Sequence, residues 1–175
     1  MILKQTSILV TTVLMMFFGL PKNIQKKVDN EIKDNFNIEV FNLNEFIVPS
    51  DIVKEVPSQF NNNNLFKIET NNGLLGYAYV AKAPSKTAQF DYLVLLDKDL
   101  IVLKTKVLIY REEYGGEIGS KRWLRQFIGK KEGDQLSYGD NIIAISGATI
   151  SVRSMTNAMN DLLQSLKILH SKNIL

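Results

Sequence analysis

"FDYLVLLDKDLIVLKTKVLIYRE", residues 90–112, is the stretch that decides the fold. Two apolar runs, 90–97 and 100–112, flank a polar turn built on Asp97, Lys98 and Asp99, which is the pattern of a β-hairpin. In the second run Lys104 and Lys106 share one face, while Leu103, Thr105 and Val107 take the other. That alternation predicts a sheet with one wet face and one covered face. Upstream, "LFKIET" (65–70) and "LLGYAYVAKA" (74–83) are separated by "NNG" (71–73), and an Asn-Gly turn between such runs predicts a second hairpin. The loop "APSKTAQ" joins the two hairpins.

Helical patterns flank these strands. "KNIQKKVDNEIKDNF" places Ile24, Val28, Ile32 and Phe36 four apart, one stripe on a helix that lies across a sheet. From Ser151 onward, Val152, Met155, Met159, Leu162, Leu163, Leu166 and Leu169 fall on one helical face. Between them, the corner "YGGEIG" (114–119) leads into "SKRWLRQFIGKK", where Ser120 caps a short helix and Gly129 ends it. "NIIAI" (141–145) reads as a final short strand, and residues 38–60 carry no firm pattern. The expectation is an α+β fold. It has an antiparallel sheet of hairpins, helices packed on one face, and a final strand–turn–helix.

The 175 residues suffice for one domain with a sizeable core. The formal charge of +3 is small and the lysines are dispersed, which argues against nucleic acid as a partner. The chain has no cysteine, which excludes disulfides, thiolate metal sites and CxxCH haem attachment. Its single histidine, His170, sits at the end of the last helix, so neither a metal centre nor a catalytic triad is expected. Lys4 followed by the apolar stretch Ile8–Leu20 predicts a signal peptide or N-terminal membrane anchor over 1–21. A helix and connecting segment then span 22–64, and the main domain covers 65–175. The chain is thus expected to be exported, either periplasmic or anchored to the cytoplasmic membrane and facing outward.

The chemistry is concentrated in "IIAISGATIS" (142–151). Small residues before a helix N-terminus leave room for an anion, which the free backbone N–H groups and the helix dipole favour. On this physics alone the stretch holds a phosphate, or it is a capped helix start. The run Ser146-Gly147-Ala148-Thr149, with Ser151 two residues on, resembles the flavinylation motif of FMN-binding domains. Such domains occur in subunits of the sodium-pumping NADH:quinone reductase and of Rnf complexes. The resemblance extends over roughly residues 65–165, through "GYAYVAKA", "YREEYGG" and "WLRQFIGK". Glu112 and Gly115 fall on the family's glutamate and glycine. Ile143 stands where the family usually has aspartate, and Tyr110 where many members have histidine.

The resemblance implies FMN as cofactor, joined covalently through its phosphate to the Thr149 hydroxyl by a flavin transferase. It also implies electron transfer with membrane redox partners; a flavin-dependent reductase is a variant of that activity. Ser146, Gly147, Ala148, Ser151, Glu112, Gly115, Gly116 and Trp123 are the further cofactor-binding candidates, with Tyr114 and Phe127 as packing neighbours and Arg153 and Arg122 as charges near the phosphate. The competing expectation is a flavin-free binding or structural module in which the motif only caps a helix.

Overall fold

The computed structural model describes residues 19–60 and 63–175. The expected export signal falls, up to residue 18, outside the described residues. Five strands, β1 (Asn42–Glu45), β2 (Leu65–Thr70), β3 (Gly73–Pro84), β4 (Gln89–Asp97) and β5 (Val102–Ile109), form one sheet in chain order. Every neighbouring pair is antiparallel. Helices α1 (Lys22–Phe36), α2 (Lys121–Leu124) and α3 (Thr149–Ser171) complete the α+β architecture. No helix among the described residues is long and apolar enough to cross a membrane.

Helices cover both faces of the sheet rather than one. The cause is β4, which is buried from Phe90 to Leu96. Its Phe90, Tyr92, Val94 and Leu96 face α2 and α3, while Leu93 and Leu95 face α1. A strand apolar on both sides requires a layer on each. The stripe of α1 supplies the second layer through Ile24, Val28 and Ile32. Asn37 closes α1 in the left-handed conformation at φ 51°, with its N–H donating to the Lys33 carbonyl.

Lys104 and Lys106 are therefore not on a wet face. Both reach Glu31 of α1, at 2.6 and 3.0 Å, and the Glu31 side chain is only 15% exposed. Burial alone would raise the Glu31 pKa, but the two ammonium groups outweigh it and the net shift is downward. Lys27 adds a bond from its Nζ to the Leu108 carbonyl at 2.5 Å. A short polar seam thus runs beside the apolar contact of α1 with the sheet.

Two local expectations differ from the structure. β5 ends at Ile109, so residues 110–112 leave the sheet before the glycine corner. Residues 141–145 form no sheet strand; Ile142 makes a single parallel bridge to Tyr138 and the rest is irregular. The backbone groups of Ile143 are taken by the side chains of Trp123 and Gln126, and those of Ile142 bond back to Ser137 and Gly139, so this part of the segment is committed outside the sheet.

Candidate functional site

The site is assembled where the end of β5, the glycine corner, α2 and the start of α3 meet. Ser120 caps α2, its Oγ accepting from the Trp123 amide at 3.3 Å. That fixes Trp123, which is 5% exposed and packs edge-on to Phe127 at a centroid distance of 5.2 Å. The Trp123 indole N–H donates to the Ile143 carbonyl at 2.8 Å, and the Ile143 amide donates to Gln126 Oε1 at 2.7 Å. Both backbone groups of Ile143 are thereby held, while its side chain is 68% exposed. Trp123 and Phe127 act as struts under the motif.

From this anchored segment the chain turns at Gly147, whose φ of +79° suits glycine, and enters α3. Ala148 is buried against the glycine corner. A Cβ on Gly115 would lie 2.9 Å from the Ala148 Cβ and 3.0 Å from the Tyr110 hydroxyl, at a backbone φ of +81°. Gly115 is required for that close approach, whereas Gly116 faces open space. The Tyr110 hydroxyl also lies 3.0 Å from Ser151 Oγ. Ser151 is therefore an inward-facing anchor, 3% exposed. The sequence marks Tyr110 only as standing where many members of the resembled family have histidine; its contacts with both the corner and the helix appear only in the folded chain.

Ser146, Gly147 and Thr149 remain at the surface. Thr149 is the first residue of a 23-residue helix preceded by Ala148, so no side chain caps the helix start. The Val152 amide bonds back to the Ala148 carbonyl at 2.9 Å, which leaves the amides of Thr149, Ile150 and Ser151 ahead of it as the ordinary open donors of a helix N-terminus. Arg153, one turn further along the same flank, lies over the Tyr138 ring at 4.7 Å. Open amides, an accessible hydroxyl and a nearby guanidinium fit the phosphate of FMN. Tyr114 and Ile150, 75% and 49% exposed, give apolar surface beside them for a flavin ring. When bound, FMN supplies one- and two-electron chemistry.

Glu112 is occupied otherwise. Its carboxylate accepts from the Thr87 amide at 2.7 Å, the Thr87 hydroxyl at 2.9 Å and the Ala88 amide at 3.1 Å, clamping the β3–β4 turn. The adjacent Ser85 hydroxyl and then these Thr87 and Ala88 donors hold the carboxyl well below its ordinary value of 4.5, at about 2. Because the folded pKa is lowered, the clamp contributes fully above about pH 4.5 and is lost as the pH falls toward 2. Amide chemical shifts of Thr87 and Ala88 should titrate with a midpoint near 2. A midpoint at 4.5 would show that the carboxylate is free.

The family model described as "FMN-binding domain" matches residues 87–164, from the β3–β4 turn to the last third of α3. No curated protein matches the chain. The matched stretch contains the glycine corner, α2 and the whole motif, and this match to the FMN-binding domain model supports FMN as the cofactor of residues 87–164.

Proposed function

We propose that this protein is an exported electron carrier whose FMN is joined by a phosphoester to Thr149 Oγ1, and that it relays electrons at the outer face of the cytoplasmic membrane. The observation that carries the reading is the exposed Thr149 hydroxyl on the first residue of an uncapped helix, inside the stretch matched as an FMN-binding domain. Lys4 and the apolar Ile8–Leu20 support export. Outside the cytoplasm free FMN is scarce, and a non-covalent site empties when free ligand falls below its dissociation constant. A covalent tether removes that dependence.

In this reading a flavin transferase loads the protein, and membrane redox partners reduce and oxidise it. The protein's residues hold the phosphate at the start of α3, keep the motif rigid through Gly115, Tyr110 and Trp123, and present the flavin at the surface. Electron relay of this kind needs no general acid or base from the chain. A second reading, FMN held without a covalent bond, is favoured by Ile143, which occupies the place of the aspartate usual in the family.

Intact mass after denaturation, on protein exported with and without a co-expressed flavin transferase, separates the two. A transferase-dependent gain of one FMN less water is the expected result. A yellow protein that loses all its flavin on denaturation would establish the second reading, and Ile143→Asp should then restore the adduct.

A further inference from the structure

Helices α1 and α3 lie on opposite faces of the sheet, yet both begin at the same end of it. That end holds the β3–β4 turn, the end of β5 and the glycine corner that follows. On one face Lys27 reaches the Leu108 carbonyl, and one turn on Glu31 reaches Lys104 and Lys106. Helix α1 thus runs away from the end of β5 and keeps its first residues beside it. On the other face Tyr110, just past β5, meets Ser151 in the first turn of α3. Leu20 and Ser154 accordingly line one cleft, together with Ile109 and Arg111. Ser154 stands only about 7.5 Å along α3 from Thr149 at the usual helical rise.

The apolar stretch Ile8–Leu20 joins the domain at this end, and the junction is short. Only Pro21 separates Leu20 from α1, and its ring restricts the backbone there. Whatever holds Leu20 therefore holds the end of the sheet that carries Thr149, and no run of linker residues lets the domain turn over. Two exposed apolar side chains flank the same place. Tyr114 and Ile150 stand on the two segments that touch where Gly115 meets Ala148. A tyrosine beside an aliphatic side chain suits the polar–apolar boundary of a bilayer. Elsewhere such residues do not gather: Val40 precedes β1 and Ile128 adjoins β5, at opposite edges of the sheet. The exposed charges at the Thr149 end are of both signs, Lys22, Lys82, Lys86 and Arg153 against Glu113 and Glu117, so contact with lipid there does not require an anionic headgroup.

We propose that the end of the domain carrying Thr149 lies against the surface of the lipid bilayer, with Tyr114 and Ile150 at headgroup depth. The inference rests on the reading of Ile8–Leu20 as a retained membrane anchor, and adds to it which end of the domain meets the lipid. The opposite end, formed by the β2–β3 and β4–β5 turns, then points into the aqueous space. A redox partner has to bring its exchanging group to the membrane surface, which a membrane-bound partner does and a freely diffusing one does not.

The absence of cysteine makes the test direct, because one introduced thiol carries the only label. Lys86→Cys and Glu113→Cys mark the Thr149 end, and Asn72→Cys and Lys98→Cys the other; all four positions are exposed. The nine residues of β4 set the two ends about 27 Å apart, well beyond contact quenching. Each full-length variant, without FMN, is labelled with a fluorophore and reconstituted into phosphatidylcholine vesicles that contain a nitroxide-headgroup lipid. The labels at Lys86 and Glu113 should be quenched several-fold more than those at Asn72 and Lys98. Equal quenching of all four, or stronger quenching at Asn72 and Lys98, in protein that sediments with the vesicles would overturn the orientation and leave the anchor standing. Protein that stays in solution would overturn both. Labels at Lys86 and Glu113 that respond to protein density and not to the quencher would assign this end to a second copy of the chain, and the proposal would fall. None of these outcomes depends on flavin at Thr149.

Discussion

Thr149→Ala should give a folded protein with no covalent flavin, even when a flavin transferase is present. Thr149 is exposed and begins α3, and alanine is the better helix former, so the substitution should change stability by no more than about 0.5 kcal/mol. The covalent adduct, by contrast, has lost its only oxygen at that position. Ser151 is no substitute, because its hydroxyl is buried and engaged with Tyr110. Thr149→Ser keeps an oxygen at the same place and should retain part of the labelling. Intact mass with peptide mapping distinguishes these outcomes. An adduct that persists in Thr149→Ala, mapped to Ser146 or Ser151, would move the attachment point and overturn the role given to Thr149.

Gly76→Ala should be the most damaging single change in the sheet. Gly76 pairs with Ile68 of β2 on one side and Asp97 of β4 on the other, beside the irregularity between Ile68 and Glu69. A Cβ there would overlap the Leu96 carbonyl oxygen and lie 3.1 Å from the Asp97 Cα. These are backbone atoms of a strand buried on both faces and cannot turn aside as a flexible side chain can. Overpacking of this kind, with the loss of strand pairing that relief would require, is expected to cost about 3–5 kcal/mol. Against the roughly 5–15 kcal/mol that holds a typical domain together, the variant should be marginal or unfolded. Chemical denaturation followed by far-UV circular dichroism measures this. A midpoint within experimental error of the unmodified chain would mean that the sheet opens at Gly76 more easily than its geometry implies.

The hairpins were legible because apolar runs of strand length were punctuated by turn residues: β2, β3 and β4 lie where "LFKIET", "LLGYAYVAKA" and "FDYLVLLD" place them, and β5 lies within "LIVLKTKVLIYRE". β1 was not legible. Asn42–Glu45 contains one apolar side chain, Leu43, and an edge strand with so little apolar content leaves no alternation to read. The stripe of α1 was visible, but its place on the far face was not. That place answers the second apolar face of β4 and is accompanied by Glu31 meeting two lysines more than seventy positions away, and no local period encodes either match. At the site, the small residues and the open helix start could be anticipated, whereas the inward turn of Ser151 and the use of Glu112 as a turn clamp could not. Both follow from partners, Tyr110 and Thr87, that only the folded chain brings near.

The covering of β4 on both sides bears on how small a working piece of this protein can be. The stretch 87–164 contains β4 but neither α1 nor β3, and those supply one apolar layer and one neighbouring strand of β4. Cut to those limits, the piece would bare Leu93 and Leu95 to water and offer an unpaired, wholly apolar edge to any other copy. The minimal autonomous unit therefore starts at α1, some sixty-five residues before the stretch that the family model matches. Insolubility of a shorter fragment would reflect this missing layer and would say nothing about its capacity to carry flavin.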